Sequence, residues 1–147
     1  MAAVRRAEVT WQGDLMSGSG VASAASSQQF NQLPVSWAAR TEQPGGKTSP
    51  EELLAAAHAS CFAMALSGAL ARAGTPPQRL EVSADVTFDQ VAAGWRVTSS
   101  ALTVRGQVPG MDAAAFRQAA EAAKDGCPIS QALKGNVQLS VEASLST

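Results

Sequence analysis

Apolar and polar positions divide this chain into one long uncharged run flanked by stretches that alternate with a period of two. Residues 53–71 hold no charged side chain, and their few polar members (His58, Ser60, Ser67) do not gather on one face. Rich in Ala and Leu, the run predicts a helix over residues 49–74. Ser49 suits the N-cap, Pro50 the first helical position, and Glu52 completes a capping box; Gly74 followed by Pro76 and Pro77 ends it. A helix apolar all round predicts burial.

Before it, Ala7, Val9 and Trp11 alternate with Glu8, Thr10 and Gln12, which predicts a strand with one buried face. Gly13-Asp14 turns the chain into a second strand over residues 15–24, where Gly18 and Gly20 permit a bulge or a close backbone approach. Residues 34–38 predict an edge strand running up to Arg40, and residues 41–48 a polar loop with a Pro-Gly-Gly turn. After the helix, Val82, Ala84, Val86 and Phe88 form a strand. A partner over residues 95–108 changes phase between Val97 and Leu102, predicting a bulge near Ser99. Asp112 caps an amphipathic helix to about Lys124, Cys127-Pro128 opens a short helix ending near Gly135, and residues 137–145 close as a strand.

The order gives an α+β class in a single domain over residues 1–147. One small sheet covers only one side of so apolar a helix, so a second sheet or a second subunit is required, and a homodimer is the economical solution. The net charge of −1, with Lys and Arg scattered, excludes a basic stripe, so neither nucleic acid nor an anionic membrane surface is expected as a partner. The uncharged run falls short of the ~20 strongly apolar residues of a bilayer span. No apolar segment follows the N-terminal arginines as in a secretory signal, and a cytoplasmic location is expected. Two cysteines are too few for a disulfide scaffold, and no metal or cofactor motif is present.

The chemistry rests on those cysteines. Cys127 precedes a helix start, which favours a thiolate, whereas Cys61 lies in mid-helix and needs an outside cation. Arg40 is the candidate. Glu51 stands ten residues before Cys61, about 15 Å along a straight helix, so the two cannot touch directly. His58, three residues before Cys61, is either a base or a packed, hydrogen-bonded core residue. Each cysteine alone reads more readily as a small core residue than as a reactive thiol; together they suggest a redox pair.

These residues resemble the OsmC/Ohr peroxidase family, and within it the osmotically inducible branch. The resemblance rests on W-Q-G-D at 11–14, the Arg40 segment, T-S-P-E-E-L-L-A-A-A-H-A-S-C-F-A-M-A-L at 48–66, V-P-G-M-D-A at 108–113 and G-C-P-I-S-Q-A-L-K at 126–134. It implies an OsmC-like fold, with antiparallel sheets packed around long buried central helices in an intertwined homodimer. It further implies thiol-dependent reduction of organic hydroperoxides and hydrogen peroxide in stress defence, with Cys61 as peroxidatic thiol and Cys127 as resolving thiol. Arg40 would bind the peroxide and favour the thiolate, Glu51 would orient Arg40, and a lipoyl-type or small dithiol would reduce the disulfide. Phe62, Met64 and neighbouring aromatics are candidates for an apolar lining. Two other readings stay open: a redox-silent dimer binding a small apolar ligand, and a thiol redox sensor.

Overall fold

The computed structural model describes residues 1–146, which fall into two compact units, residues 1–53 and the chain from residue 54 on, each containing a three-stranded sheet. In the first unit β1 (Ala7–Gln12), β2 (Ser19–Ala24) and β3 (Leu33–Val35) form an antiparallel meander in sequence order. Gly20 lies opposite Trp11, and a Cβ built on it would come within 2.7 Å of the indole, so this glycine serves a close approach and not a bulge. In the β1–β2 turn the Asp14 carboxylate accepts from the Ser17 amide and hydroxyl, both at 2.7 Å. Those bonds hold its pKa below the ordinary carboxylate value.

Two expectations change here. The edge strand stops at Val35, because the Ser36 hydroxyl accepts the Ala39 amide at 3.1 Å and caps a short helix, α1 (Trp37–Thr41), that takes in Trp37, Ala38 and Arg40. Strand β1 is exposed along its whole length, so the alternation of Val9 and Trp11 marks an apolar face that this unit leaves uncovered.

The long helix α2 (Pro50–Arg72) forms as its sequence predicts. Ser49 accepts the Glu52 amide at 3.1 Å, but the Glu52 carboxylate takes the Thr48 hydroxyl at 2.7 Å, leaving the capping box half made. At the other end Gly74 adopts a φ of 89° and Thr75 donates back to the Leu70 carbonyl at 2.9 Å. Within this chain α2 buries a stripe, not its whole circumference. His58, Phe62, Leu66 and Leu70, four residues apart, are sealed, whereas Met64 is 74% exposed. By length and composition α2 could cross a bilayer, yet its sealed face packs into a core built by the same chain.

That core lies on the second sheet. β4 (Arg79–Val91) and β5 (Gly94–Gln107) form an antiparallel hairpin in which Thr87 pairs with Ser99 and Phe88 with Val97. Thr98 is the extra residue of the bulge expected near Ser99. Beyond the bulge Ser100, Leu102, Val104 and Gly106 share the buried face. The helices α3 (Ala113–Gly126) and α4 (Pro128–Leu133) follow, and β6 (Gln138–Leu145) returns parallel to β5. The second sheet is therefore mixed and not purely antiparallel, because two intervening helices make a crossover long enough to bring the chain back to the same end. Asp112 caps α3 through the Ala115 amide at 2.8 Å, and α3 buries Phe116, Ala120 and Ala123 against Leu102, Val104 and the α2 stripe.

Phe116 reaches its place because Gly106 lacks a side chain: a Cβ there would lie 2.6 Å from the tip of the ring. Gly106→Ala should therefore lower the free energy of unfolding by about 1–3 kcal/mol, as overpacking does. Urea denaturation of the variant measures it; an unchanged midpoint would mean that the ring relaxes without cost.

Candidate active site

Both cysteines belong to the second unit. Cys61 sits one turn beyond His58 on α2 and is partly exposed; Cys127 is fully buried between α3 and α4. Cys127 closes α3, its amide donating to the Ala123 carbonyl at 2.9 Å, and caps α4, its sulfur accepting the Ser130 amide at 3.4 Å. Pro128 at the first position of α4 fixes the backbone there. The two thiols are free and near enough for Cys127 to act on the charge of Cys61, with the Ile129 amide also beside the Cys61 sulfur. Burial pushes the Cys61 pKa above a thiol's ordinary value. The Ile129 amide opposes that rise, while the neighbouring Cys127 adds to it.

His58 lies under this pair with no exposure and a partner at each ring nitrogen: Nδ1 stands 2.6 Å from the Ser100 hydroxyl and Nε2 2.8 Å from the Ser130 hydroxyl. The Ser130 hydroxyl is in turn 3.1 Å from the Cys127 sulfur. His58 is thus packed and hydrogen-bonded at both nitrogens, and burial lowers its proton affinity.

The other two site residues meet in the first unit. Arg40 on α1 forms a two-pronged pair with Glu51 at the start of α2, Nε to Oε1 at 3.0 Å and Nη2 to Oε2 at 2.8 Å. The Glu51 side chain is 9% exposed and that of Arg40 30%, with the guanidinium 6.0 Å from the centre of the Trp37 ring. This geometry is the fork-to-fork arrangement in which arginine and carboxylate bind best. Beside it opens an apolar cavity of about 520 Å³ walled by Val9, Trp11, Leu15, Trp37 and Leu53, with Arg40 contributing the charge. Phe62 and Met64 do not make such a lining: Phe62 is sealed in the core and Met64 faces outward, because they fall on different sides of α2.

The four expected site residues therefore form two pairs, Cys61 with Cys127 and Arg40 with Glu51. The sequence reading missed Ser130 and Ser100. Ser130 had a signal, standing three residues after a helix-capping position in G-C-P-I-S; Ser100 is one of two adjacent serines in a strand and had none. Among the described residues no group of three His, Cys, Asp or Glu side chains is placed to hold a metal ion.

An α+β scaffold that carries two neighbouring thiols, one partly open and one sealed, belongs to the class of two-cysteine thiol proteins. The comparisons with known proteins narrow that class. The OsmC-like protein family matches residues 43–142. Peroxiredoxin OsmC of Escherichia coli strain K12 is 43% identical over 135 residues, covering 92% of this chain and 93% of that protein. The organic hydroperoxide resistance protein of Xanthomonas axonopodis pv. citri strain 306 is 31% identical over 98 residues, 66% of this chain and 67% of that protein. Among solved structures, OhrB of Bacillus subtilis superposes with a TM-score of 0.73 at 23% identity, covering 94% of this chain and 97% of the other. The organic hydroperoxide resistance protein of Elizabethkingia anophelis gives 0.71 at 23% identity, covering 100% and 99%. This chain belongs to the OsmC-like family and has its fold.

Burial of the sole histidine makes stability depend on pH. Because His58 binds its proton less readily in the folded chain than at its ordinary pKa of 6.5, the unfolded chain holds more protons between the two values. Its contribution is then full above about pH 6.5 and is lost as pH falls through the lowered value. His58→Gln should flatten that slope. Urea midpoints of both proteins at about pH 7.5 and about pH 5 test it, and parallel losses on acidification would show that His58 does not set the slope.

Proposed function

We propose that this chain is a cysteine-based peroxidase that reduces organic hydroperoxides and hydrogen peroxide, with Cys61 as the attacking thiol and Cys127 as the resolving one. The observation that carries this reading is the nearness of the partly exposed Cys61 to the sealed Cys127, close enough for one thiol to shift the other's pKa. Membership of a family that includes proteins named peroxiredoxin and organic hydroperoxide resistance protein supports it.

The Cys61 thiolate attacks the outer peroxide oxygen, the O–O bond breaks, and the departing alkoxide takes a proton to leave as alcohol, or as water from hydrogen peroxide. Cys61 is left as a sulfenic acid. Cys127 then attacks the Cys61 sulfur, the S–O bond breaks, and water leaves as the Cys61–Cys127 disulfide closes. An external dithiol, of the lipoyl type or a small one, exchanges with that disulfide and restores both thiols.

Arg40 donates to the peroxide oxygens and its charge favours the thiolate, offsetting the burial that disfavours it; Glu51 holds the guanidinium in place. The apolar cavity beside Arg40 suits the hydrocarbon part of an organic hydroperoxide. An intertwined homodimer is the working form, since the open faces of α2 and β1 carry apolar residues such as Met64 and Val9 that a second copy would cover. The protein works in the cytoplasm, where a dithiol cycle can run.

Mixing the reduced protein with one equivalent of cumene hydroperoxide and mapping thiols by mass spectrometry is the direct test. Peroxide loss should accompany a Cys61–Cys127 linkage; persistence of the peroxide with both thiols intact would exclude a peroxidase and return the redox-silent ligand-binding reading. Arg40→Lys should slow peroxide consumption by about tenfold or more, the kinetic equivalent of losing a charged hydrogen bond of about 1.5–3 kcal/mol. Stopped-flow rates under excess peroxide measure it, and a full rate would remove Arg40 from the mechanism.

A further inference from the structure

Four buried groups form one unbroken hydrogen-bonded line: Ser100, His58, Ser130 and Cys127, at 2.6, 2.8 and 3.1 Å in turn. Ser60, in the middle of α2, turns its hydroxyl back to the Ala56 carbonyl of its own helix at 2.8 Å, whereas Ser130 stands in the first turn of α4, where its own helix offers no such carbonyl. Its hydroxyl lies between an imidazole nitrogen and a thiol, with the imidazole fully sealed from water. A hydroxyl so placed can accept a proton on one side while releasing its own on the other.

We propose that Ser130 passes the Cys127 proton to His58, so that the buried His58–Ser130–Cys127 line is the relay that turns the resolving thiol into an attacking thiolate. The proposal rests on the reading of Cys127 as the resolving residue. Before transfer the Cys127 S–H donates to the Ser130 oxygen, the Ser130 O–H donates to His58 Nε2, and Nδ1–H donates to Ser100. During transfer Ser130 gives its proton to Nε2 and takes the one from sulfur. The thiolate then accepts from the Ser130 hydroxyl and from the Ser130 amide, which already stands 3.4 Å from it. Attack on the Cys61 sulfenic acid forms the S–S bond and breaks the S–O bond. The oxygen leaves as hydroxide and becomes water by taking one proton, and His58 gives up the one it holds. Overall a sulfenic acid and a thiol become a disulfide and water, with no other reactant needed. Because burial lowers the proton affinity of His58, the ring is neutral and open to accept at neutral pH and does not keep the proton it receives. Ser130 and His58 are positioning residues here, acting on the reaction through Cys127.

The test separates the two chemical steps. Reduced protein is mixed rapidly with one equivalent of cumene hydroperoxide. Peroxide loss, dimedone-trapped Cys61 sulfenic acid and the Cys61–Cys127 disulfide are followed together by quenched-flow mass spectrometry. Ser130→Ala and His58→Gln should each slow disulfide closure by about a hundredfold, the scale of a lost proton-transfer catalyst, so that trapped sulfenic acid accumulates after the peroxide has gone. Ser130→Thr, which keeps the hydroxyl, should restore prompt closure. His58→Gln can still donate to Ser130 but cannot take up a proton, so a purely structural histidine would leave closure fast in that variant. For the wild type, closure should slow by about twofold in heavy water, a measurement that needs no variant to fold. Closure at the wild-type rate in either folded variant, or no solvent isotope effect in the wild type, overturns the relay. Persistence of peroxide with an unmodified Cys61 in the wild type would instead overturn the peroxidase reading itself.

Discussion

An imidazole without solvent exposure must satisfy both ring nitrogens inside the protein, and His58 does so with one serine from β5 and one from α4. Each such bond contributes about 0.5–1.5 kcal/mol, but breaking either would leave a buried polar atom at a cost of about 1–3 kcal/mol. The larger consequence is geometric. A turn of α2 by one residue, about 100°, would lose both bonds and lift the Phe62–Leu66–Leu70 stripe out of the core, so the rotation of the helix is set twice over. Cys61, three residues on, is thereby held near the Ile129 amide and Cys127. The nearness of the thiols is a by-product of how a histidine is buried.

Electrostatically the thiols and the arginine have opposite needs. Around Cys61 burial and the second thiol both disfavour a charge, and a single backbone amide favours it. A thiolate in such surroundings depends on a cation from elsewhere. Arg40 is a cation whose direction is already fixed, because its two-pronged bond to the nearly buried Glu51 uses one edge of the guanidinium and holds its plane. Removing Arg40 would leave the Glu51 carboxylate buried without its counter-charge, a cost of about 3–5 kcal/mol, so the pair is also a structural joint between α1 and the first turn of α2.

What could be read from the sequence follows from the range of the forces involved. Caps and breakers act within a few residues, which is why Ser49, Gly74, Asp112 and Pro128 mark helix ends where expected, and why the phase change between Val97 and Leu102 locates the bulge at Thr98. Ser36 is the exception, because a capping serine and an edge strand compete over the same short segment and the cap wins. Quantities set by distant packing were less visible. The direction of β6 depends on the path of two helices, and the exposure of β1 and of Met64 depends on what one chain can cover. In the site, the residues that meet within the second unit were named, but the serine that links His58 to Cys127 was not, since its place three residues after a helix cap marks a position in α4 without saying what its hydroxyl touches.

In the proposed reaction, the unequal burial of the two cysteines bears on the order in which they react. A peroxide arriving from solvent meets Cys61, which is partly open, before it can meet Cys127, which has no exposed surface. The sealed thiol is therefore protected from direct oxidation and meets only what has already formed on its neighbour. Burial, which makes most cysteines inert, here restricts Cys127 to one reaction partner instead of silencing it. That restriction works only if the buried thiol can still shed its proton without water. The Ser130 hydroxyl and the neutral imidazole beyond it are the groups in contact that can receive one. For the proposed cycle, sealing the second thiol and lining its back with an acceptor are thus two parts of one requirement: fast closure of a disulfide before the first thiol is oxidised further.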